Sequence, residues 1–276
     1  MRKYLLAVLI ILWAIVLLPR LNRGVCPFRP RAAISKIESI KKTKQDAFVD
    51  KAFLLLKARK DKDALAIFEK ILLEQPDNLA CLWGKAEVLR RMRQYPQSER
   101  MVQEILKKNP NHTPALITLS YIRYKEERLN EASKLIEQVL KNDTLTRDDE
   151  ALAYMMLGTI NSRRATTGWF LNKVRYGTQI KCYFLKARGL APDLAEVHLA
   201  LGTFYLKGPL IVGGNLHKAI EELEIAVKIA PDFATPNARL AQAYQKKGDL
   251  KKYSFYLKRA KSLEPENEVL KEIETK

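Results

Sequence analysis

From about residue 45 to the end of the chain, apolar residues recur every three or four positions in short runs separated by polar ones. That spacing is the signature of amphipathic helices. The runs also stop in a regular way. LAIFEKILLEQPDN reaches an apolar peak and closes at Pro76-Asp77, and FLKARGLAPDL, IAVKIAPDF and LKRAKSLEPEN close at Pro192, Pro231 and Pro265. EQVLKND repeats the theme without the proline. Pro76 and Pro110 lie 34 residues apart, as do Pro231 and Pro265, while Pro192 and Pro231 are 39 apart. A period of this size predicts stacked pairs of helices, because neither helix of a pair buries its apolar stripe alone. Proline disfavours helix in the residue before it and ends the second helix of each pair. The Asp or Asn that follows can cap the next one. Punctuation this frequent excludes long uninterrupted heptads, and with them a coiled coil.

The first residues follow a different pattern. YLLAVLIILWAIVLLP, residues 4–19, carries no charge and no polar face. Sixteen residues of helix span about 24 Å, against about 30 Å of bilayer hydrocarbon. Flanking Arg side chains extend such a segment by snorkelling. Three readings stay open: an uncleaved anchor, a cleaved signal, and lipidation at Cys26. The exit LLPRLNRG has no small-residue cleavage pattern, and Arg23-Gly24-Val25 before Cys26 puts a charge where a lipidation signal wants none. The expected organisation is an anchor or signal segment at 1–25, a basic stem at 26–44, a helical solenoid at 45–265 and a polar capping helix at 266–276.

Six repeats can be aligned. The first, from about Gln45, has Ala64, Phe68, Ile71 and Pro76. The second has Ala86, Leu89, Ser98, Ile105 and Pro110. The third has Leu119, Ser120, Ala132, Ile136 and Val139. The fourth has Tyr154, Leu157, Gly158, Phe184, Ala187 and Pro192. The fifth has Leu201, Gly202, Tyr205, Ala219, Leu223, Ala226 and Pro231, and the sixth Leu240, Ala241, Tyr244, Gly248, Leu257, Ala260 and Pro265. This pattern resembles the tetratricopeptide repeat (TPR) family. The resemblance implies an all-α, right-handed superhelical solenoid of about six helix–turn–helix units with a C-terminal capping helix, behind an N-terminal apolar anchor helix.

Two repeats break the period. The fourth is about ten residues too long, with the excess between its helices at about 163–177. The fifth has about five extra at 208–215, in KGPLIVGGN. The first insertion is basic and aromatic, with Arg163, Arg164, Trp169, Phe170, Lys173, Arg175 and Tyr176. The second is apolar and ends in Gly213-Gly214, a pair that permits positive φ or close backbone approach. Equivalent turns of adjacent repeats lie on one edge, so these loops are expected to be neighbours. They are candidates either for a local mini-core or for a composite partner site. LGTFYLKGPLIVGGNLHKAIEELEIAVKIAP and the apolar N-terminus are also similar to the TPR component associated with bacterial TRAP-type transporters. That similarity implies an accessory role in handling a solute or lipid.

Charge sharpens the membrane reading. The formal net charge is +18. Residues 1–44 hold ten basic residues and one acid, Glu38, so half the excess sits in the stem. Arg20, Arg23, Arg29 and Arg31 beside the apolar segment suit anionic lipid headgroups. No nucleic-acid motif accompanies the charge, which sets nucleic acid behind lipid as a partner. The anchor predicts a membrane protein with an extracytoplasmic solenoid.

Catalytic chemistry finds no foothold. Cys26, Cys81 and Cys182 are too few and too far apart for a disulfide framework or a zinc site, and Cys81 and Cys182 read as small buried thiols. His112, His198 and His217 are isolated, and no HExxH or GxSxG is present. The expectation is a non-enzyme without metal or cofactor. TPR arrays bind along the concave face lined by first helices, which implies a groove of Trp83, Glu87, Arg90, Ile117, Tyr121 and Tyr124. Val49, Phe53, Trp83 and Glu87 replace the Lys and Asn with which some TPR proteins clamp a C-terminal carboxylate. The sequence thus predicts a membrane-tethered adaptor whose apolar, aromatic groove takes a protein or peptide.

Overall fold

The computed structural model describes residues 44–167 and 170–275. The apolar segment, the stem arginines, Cys26 and Trp169 lie outside the described residues. Among the described residues no helix is long and apolar enough to cross a membrane.

Thirteen α-helices and no strands are described. They pair as the prolines predict. Repeat 1 is α1 (Lys44–Lys57) and α2 (Asp61–Glu74), repeat 2 is α3 (Leu79–Arg91) and α4 (Tyr95–Lys108), and repeat 3 is α5 (Thr113–Lys125) and α6 (Leu129–Leu140). Repeat 4 is α7 (Arg147–Thr167) and α8 (Phe170–Leu190), and repeat 5 is α9 (Ala195–Lys207) and α10 (Leu216–Ile229). Repeat 6 is α11 (Ala234–Lys247) and α12 (Leu250–Leu263), and α13 (Glu268–Glu274) caps the stack. Each helix packs on its stack neighbours, with first helices also touching first helices of the next repeat. The core is accordingly a row of small clusters. Ala52, Phe68 and Cys81 sit in one, Val102, Ile105 and Leu119 in another, and Leu201, Leu223 and Tyr244 in a third.

Small residues let the paired helices approach. Ser98 Oγ donates to the Ala86 carbonyl at 2.7 Å, and Ser120 Oγ to the Ala132 carbonyl at 2.9 Å, both buried. Helix caps fall one residue later than the sequence suggested. Asn78, His112 and Asn267, each two residues after its proline, accept from the backbone of Cys81, Ala115 and Val269. In repeat 6 the capping position is Phe233, which offers no side-chain cap.

Most of the fourth-repeat insertion is helical. It lengthens both helices, so that α7 and α8 run to 21 residues each. The stretch holds no proline to end a helix. The fifth-repeat insertion is a tight knuckle. Leu210–Val212 make one 3-10 turn, Gly213 takes φ 103°, and Gly214 leaves no room for a side chain. A Cβ there would lie 1.8 Å from the Gly208 carbonyl oxygen.

Candidate partner-binding face

The residues expected to line the groove are joined in one chain of contacts along the first helices. Trp83 stacks on Phe53 with ring centres 5.6 Å apart. Its Nε1 donates to Thr118 Oγ1 at 3.0 Å, and Thr118 in turn donates to Glu87 Oε2 at 3.2 Å. Glu87 also accepts from Arg90 Nε at 2.7 Å and Arg91 Nε at 3.0 Å. The Arg90 guanidinium lies 4.1 Å from the centre of the Tyr121 ring, and Tyr121 meets Tyr124 at 6.2 Å. Arg163 continues the line over Tyr124 at 6.0 Å. Ile117 is buried beneath it. So the face is an aromatic stripe threaded with charge, where the sequence pointed to an apolar groove. Burial would raise the Glu87 carboxyl, but Arg90 and Arg91 hold it down at about 2. Against the same burial, Glu87 raises Arg90 above its ordinary range.

Five cations at the turn ends of repeats 1–3 reach across to repeats 4–6 and the cap. Lys57 pairs with Asp193 at 2.6 Å and Asp148 at 3.6 Å. Arg59 pairs with Glu196 at 3.1 Å, with its guanidinium 3.5 Å from the centre of the Phe233 ring. Arg91 meets Glu196 at 3.4 Å, besides Asp61 at 2.8 Å. Arg93 donates to Glu264 at 2.9 Å and to the Glu266 carbonyl at 3.0 Å. Lys125 meets Glu268 at 2.7 Å. The seam is dry in the middle and wet at the rim. Arg59 and Arg91 are about one-tenth exposed, whereas Asp193 and Glu268 are more than half exposed. Burial, and then repulsion from Arg91, lower Arg59 to about 10. Glu196 is drawn below its ordinary range by Arg59 and Arg91 against its own burial. Arg59 Nε is buried with no hydrogen-bond partner.

Sequence reasoning missed this seam, although it left a signal. Arg59, Arg93 and Glu127 follow one another at 34-residue steps, and all have positive φ, near 60°. Gly248 fills the corresponding turn of repeat 6 at φ 80°. A charged residue where the backbone favours glycine points to a use for its side chain.

The insertions serve partly as struts. Arg163 pairs with Glu127 at 2.6 Å. Arg164 donates to the Leu129 carbonyl, Asn130 and Ser133, and lies over Tyr176 at 5.5 Å. Phe170, Lys173 and Arg175 belong to α8, and their side chains lie outside the described residues. Gly213 and Gly214 hold the knuckle, which presents Leu210 and Ile211 at 87% and 81% exposure.

The remaining candidate chemistry is structural. His198 is buried, with Nδ1 2.6 Å from Glu222 and Nε2 2.8 Å from the Pro192 carbonyl. His112 caps α5, and His217 pairs with Glu221 on the surface. Among the described residues no group of three or more His, Cys, Asp or Glu is placed to hold a metal ion. Cys81 is the buried thiol expected, but Cys182 is in a disulfide, a correction to its reading as a free core thiol. The cysteine count alone gave no reason to single it out.

Residues 55–114 and 234–267 match tetratricopeptide repeat models, and the described residues form an all-helical stack of helix pairs. No curated protein matches in sequence. Among solved structures, a tetratricopeptide repeat protein from Parabacteroides merdae is similar at TM-score 0.50 and 15% identity, over 83% of this chain and 82% of that one. Human IFIT1, solved as a dimer with PPP-AAAA, reaches TM-score 0.60 at 19% identity over 84% of this chain; the match spans about half of IFIT1, 53%. Pseudomonas aeruginosa PilF gives 0.46 at 16% identity, over 84% of this chain and 96% of that one. At these identities the likeness is one of fold.

Proposed function

We propose that this protein is a non-catalytic, membrane-tethered adaptor that binds a protein or peptide on the face lined by the first helices. The observation that carries the proposal is the stripe Phe53–Trp83–Tyr121–Tyr124. These are large, half-buried aromatic side chains held rigidly across three repeats, with Arg90 among them. Aromatic and Arg side chains in a partly desolvated setting are the residue types that dominate binding energy at interfaces. Tethering rests on the sequence of residues 4–19 and the basic stem. The test is affinity purification from membranes with the N-terminus intact, comparing wild type with Trp83→Ala and Tyr121→Ala. Partner recovery is expected to fall at least tenfold in roughly the range of a lost hot spot, with circular dichroism unchanged. Equal recovery by both variants sinks the reading.

A second reading, an accessory protein handling a solute or lipid, draws on the knuckle. Leu210 and Ile211 stand in solvent on a loop too tightly built to fold them away. In that case Leu210→Ser with Ile211→Ser, and not Trp83→Ala, abolishes binding.

A further inference from the structure

The seam between repeats 1–3 and the rest has features of a closure rather than of a core. Among the described residues no helix of repeats 1 and 2 packs closely on a helix of repeats 5 and 6 or the cap, and the contacts described between them are made by side chains and the Glu266 carbonyl. The seam's charges are sorted. Lys57, Arg59, Arg91, Arg93 and Lys125 all come from the ends of first helices in repeats 1–3 or from the turns that follow them. Asp148, Asp193, Glu196, Glu264 and Glu268 all come from repeats 4–6 and the cap. The two most deeply engaged bridging residues of the turns, Arg59 and Arg93, stand in left-handed backbone where glycine would be free of strain. Phe233 occupies a helix-capping position without capping, and its ring instead receives Arg59. Strain and a forgone cap converge on one contact.

Resting on the adaptor reading above, we propose that this seam is an autoinhibitory clasp beside the aromatic stripe, coupled to it through Glu87, and that the partner opens it with an acidic segment that takes over the cations of repeats 1–3. The structure contains the argument for that occupant. The C-terminal half already supplies five carboxyl side chains and a carbonyl to those cations, and so occupies them as an acidic ligand would. The stripe connects directly to the clasp, because Glu87 binds both Arg90, which covers Tyr121, and Arg91, which reaches Glu196. Replacing Glu196 at Arg91 therefore acts one residue away from the proposed binding face.

The test uses the full chain in detergent, with spin labels at Lys60→Cys and Asp232→Cys. Both positions are exposed, and they flank the Arg59–Phe233 contact. One short distance is expected at low salt; at about 0.5 M salt, which screens the exposed Lys57–Asp193 and Lys125–Glu268 pairs far more than the buried Arg59–Glu196 pair, the distance distribution should broaden. Arg59→Gly with Arg93→Gly should give a longer distance even at low salt. Glycine suits both turns, so the fold is retained. The acidic probe is a fluorescein-labelled peptide of the chain's own residues 262–274. It should bind Glu264→Gln with Glu268→Gln about tenfold more tightly than wild type, a gain of one decade in Kd, and Arg93→Gly should abolish that gain. A distance that ignores both salt and the glycine variants overturns the clasp. A peptide that gains nothing, or keeps its gain without Arg93, overturns the acidic partner. If Trp83→Ala leaves partner recovery unchanged while the distance still responds to salt, the adaptor reading fails and the clasp stands.

Discussion

Repeats 1–3 and repeat 6 make the same turn with different residues. In each, one residue between the paired helices sits in left-handed backbone. Repeat 6 uses Gly248, beside which there is open space, and nothing reaches out from it. Repeats 1, 2 and 3 use Arg59, Arg93 and Glu127, and all three side chains make long-range contacts: with repeat 5, with the end of repeat 6, and with the long hairpin of repeat 4. A left-handed non-glycine residue costs on the order of 1–2 kcal/mol. The comparison teaches that the first two turns trade local strain for contacts with distant repeats and the third for a contact with the next repeat, while the last turn has no such contact to make.

The comparison breaks most visibly where the charges are driest. Glu87→Gln should cost about 3 kcal/mol, as expected when one member of a buried charge network is removed. A neutral amide offers a single acceptor oxygen to Arg90, Arg91 and Thr118. Chemical denaturation measures this, and a loss under about 1 kcal/mol would mean that the arginines find other acceptors. Acid should act on the same groups. Glu87, Glu196 and Glu268 are all held below the ordinary carboxylate range in the fold. Their contribution is therefore present above about pH 4.3, the unfolded value, and is lost as pH falls through the folded values, down to about 2 for Glu87. Thermal midpoints should be flat from neutrality to about pH 5 and then drop. A midpoint that holds steady from pH 5 to 2.5, roughly the window set by these groups, would contradict the network.

Much of this was legible in the chain. Proline spacing placed five of the six helix pairs, because a proline acts on its own neighbours and needs no tertiary context; the third, which lacks a closing proline, was placed by its small and apolar residues. Small residues at Ala86, Ser98, Ser120 and Ala132 marked the helix crossings for the same reason. What escaped was set by distance. Arg91 is at once a helix-end residue and a partner of Asp61 and Glu196, which lie 30 and 105 residues away in sequence. No local pattern distinguishes it from a solvated arginine. The sequence read the first-helix face as an apolar, aromatic groove that included Glu87 and Arg90, but it gave no sign of the hydrogen-bonded links among Trp83, Thr118 and Glu87. The insertion at 163–177 was read as a loop because a period was broken there, although no proline stands in it to end a helix.

Smaller effects sharpen the contrast between the turns. Gly248→Ala should destabilise by about 1 kcal/mol, since alanine must be forced into positive φ. Glu127→Gly should move the other way. Its ion pair with Arg163 is about half exposed on both sides, 53% and 44%, and pairs of that kind contribute about 0–1 kcal/mol. Glycine relieves the left-handed strain and adds unfolded-state entropy, so the net change should be a gain of about 0.5 kcal/mol or less. The sign is the informative part. Stabilisation by Glu127→Gly would mean that the strain at this rim position exceeds what its contact returns. Destabilisation by more than about 1 kcal/mol would mean that the Glu127–Arg163 pair, which ties repeat 3 to the long hairpin beside Tyr124, is as firmly held as the buried centre of the seam.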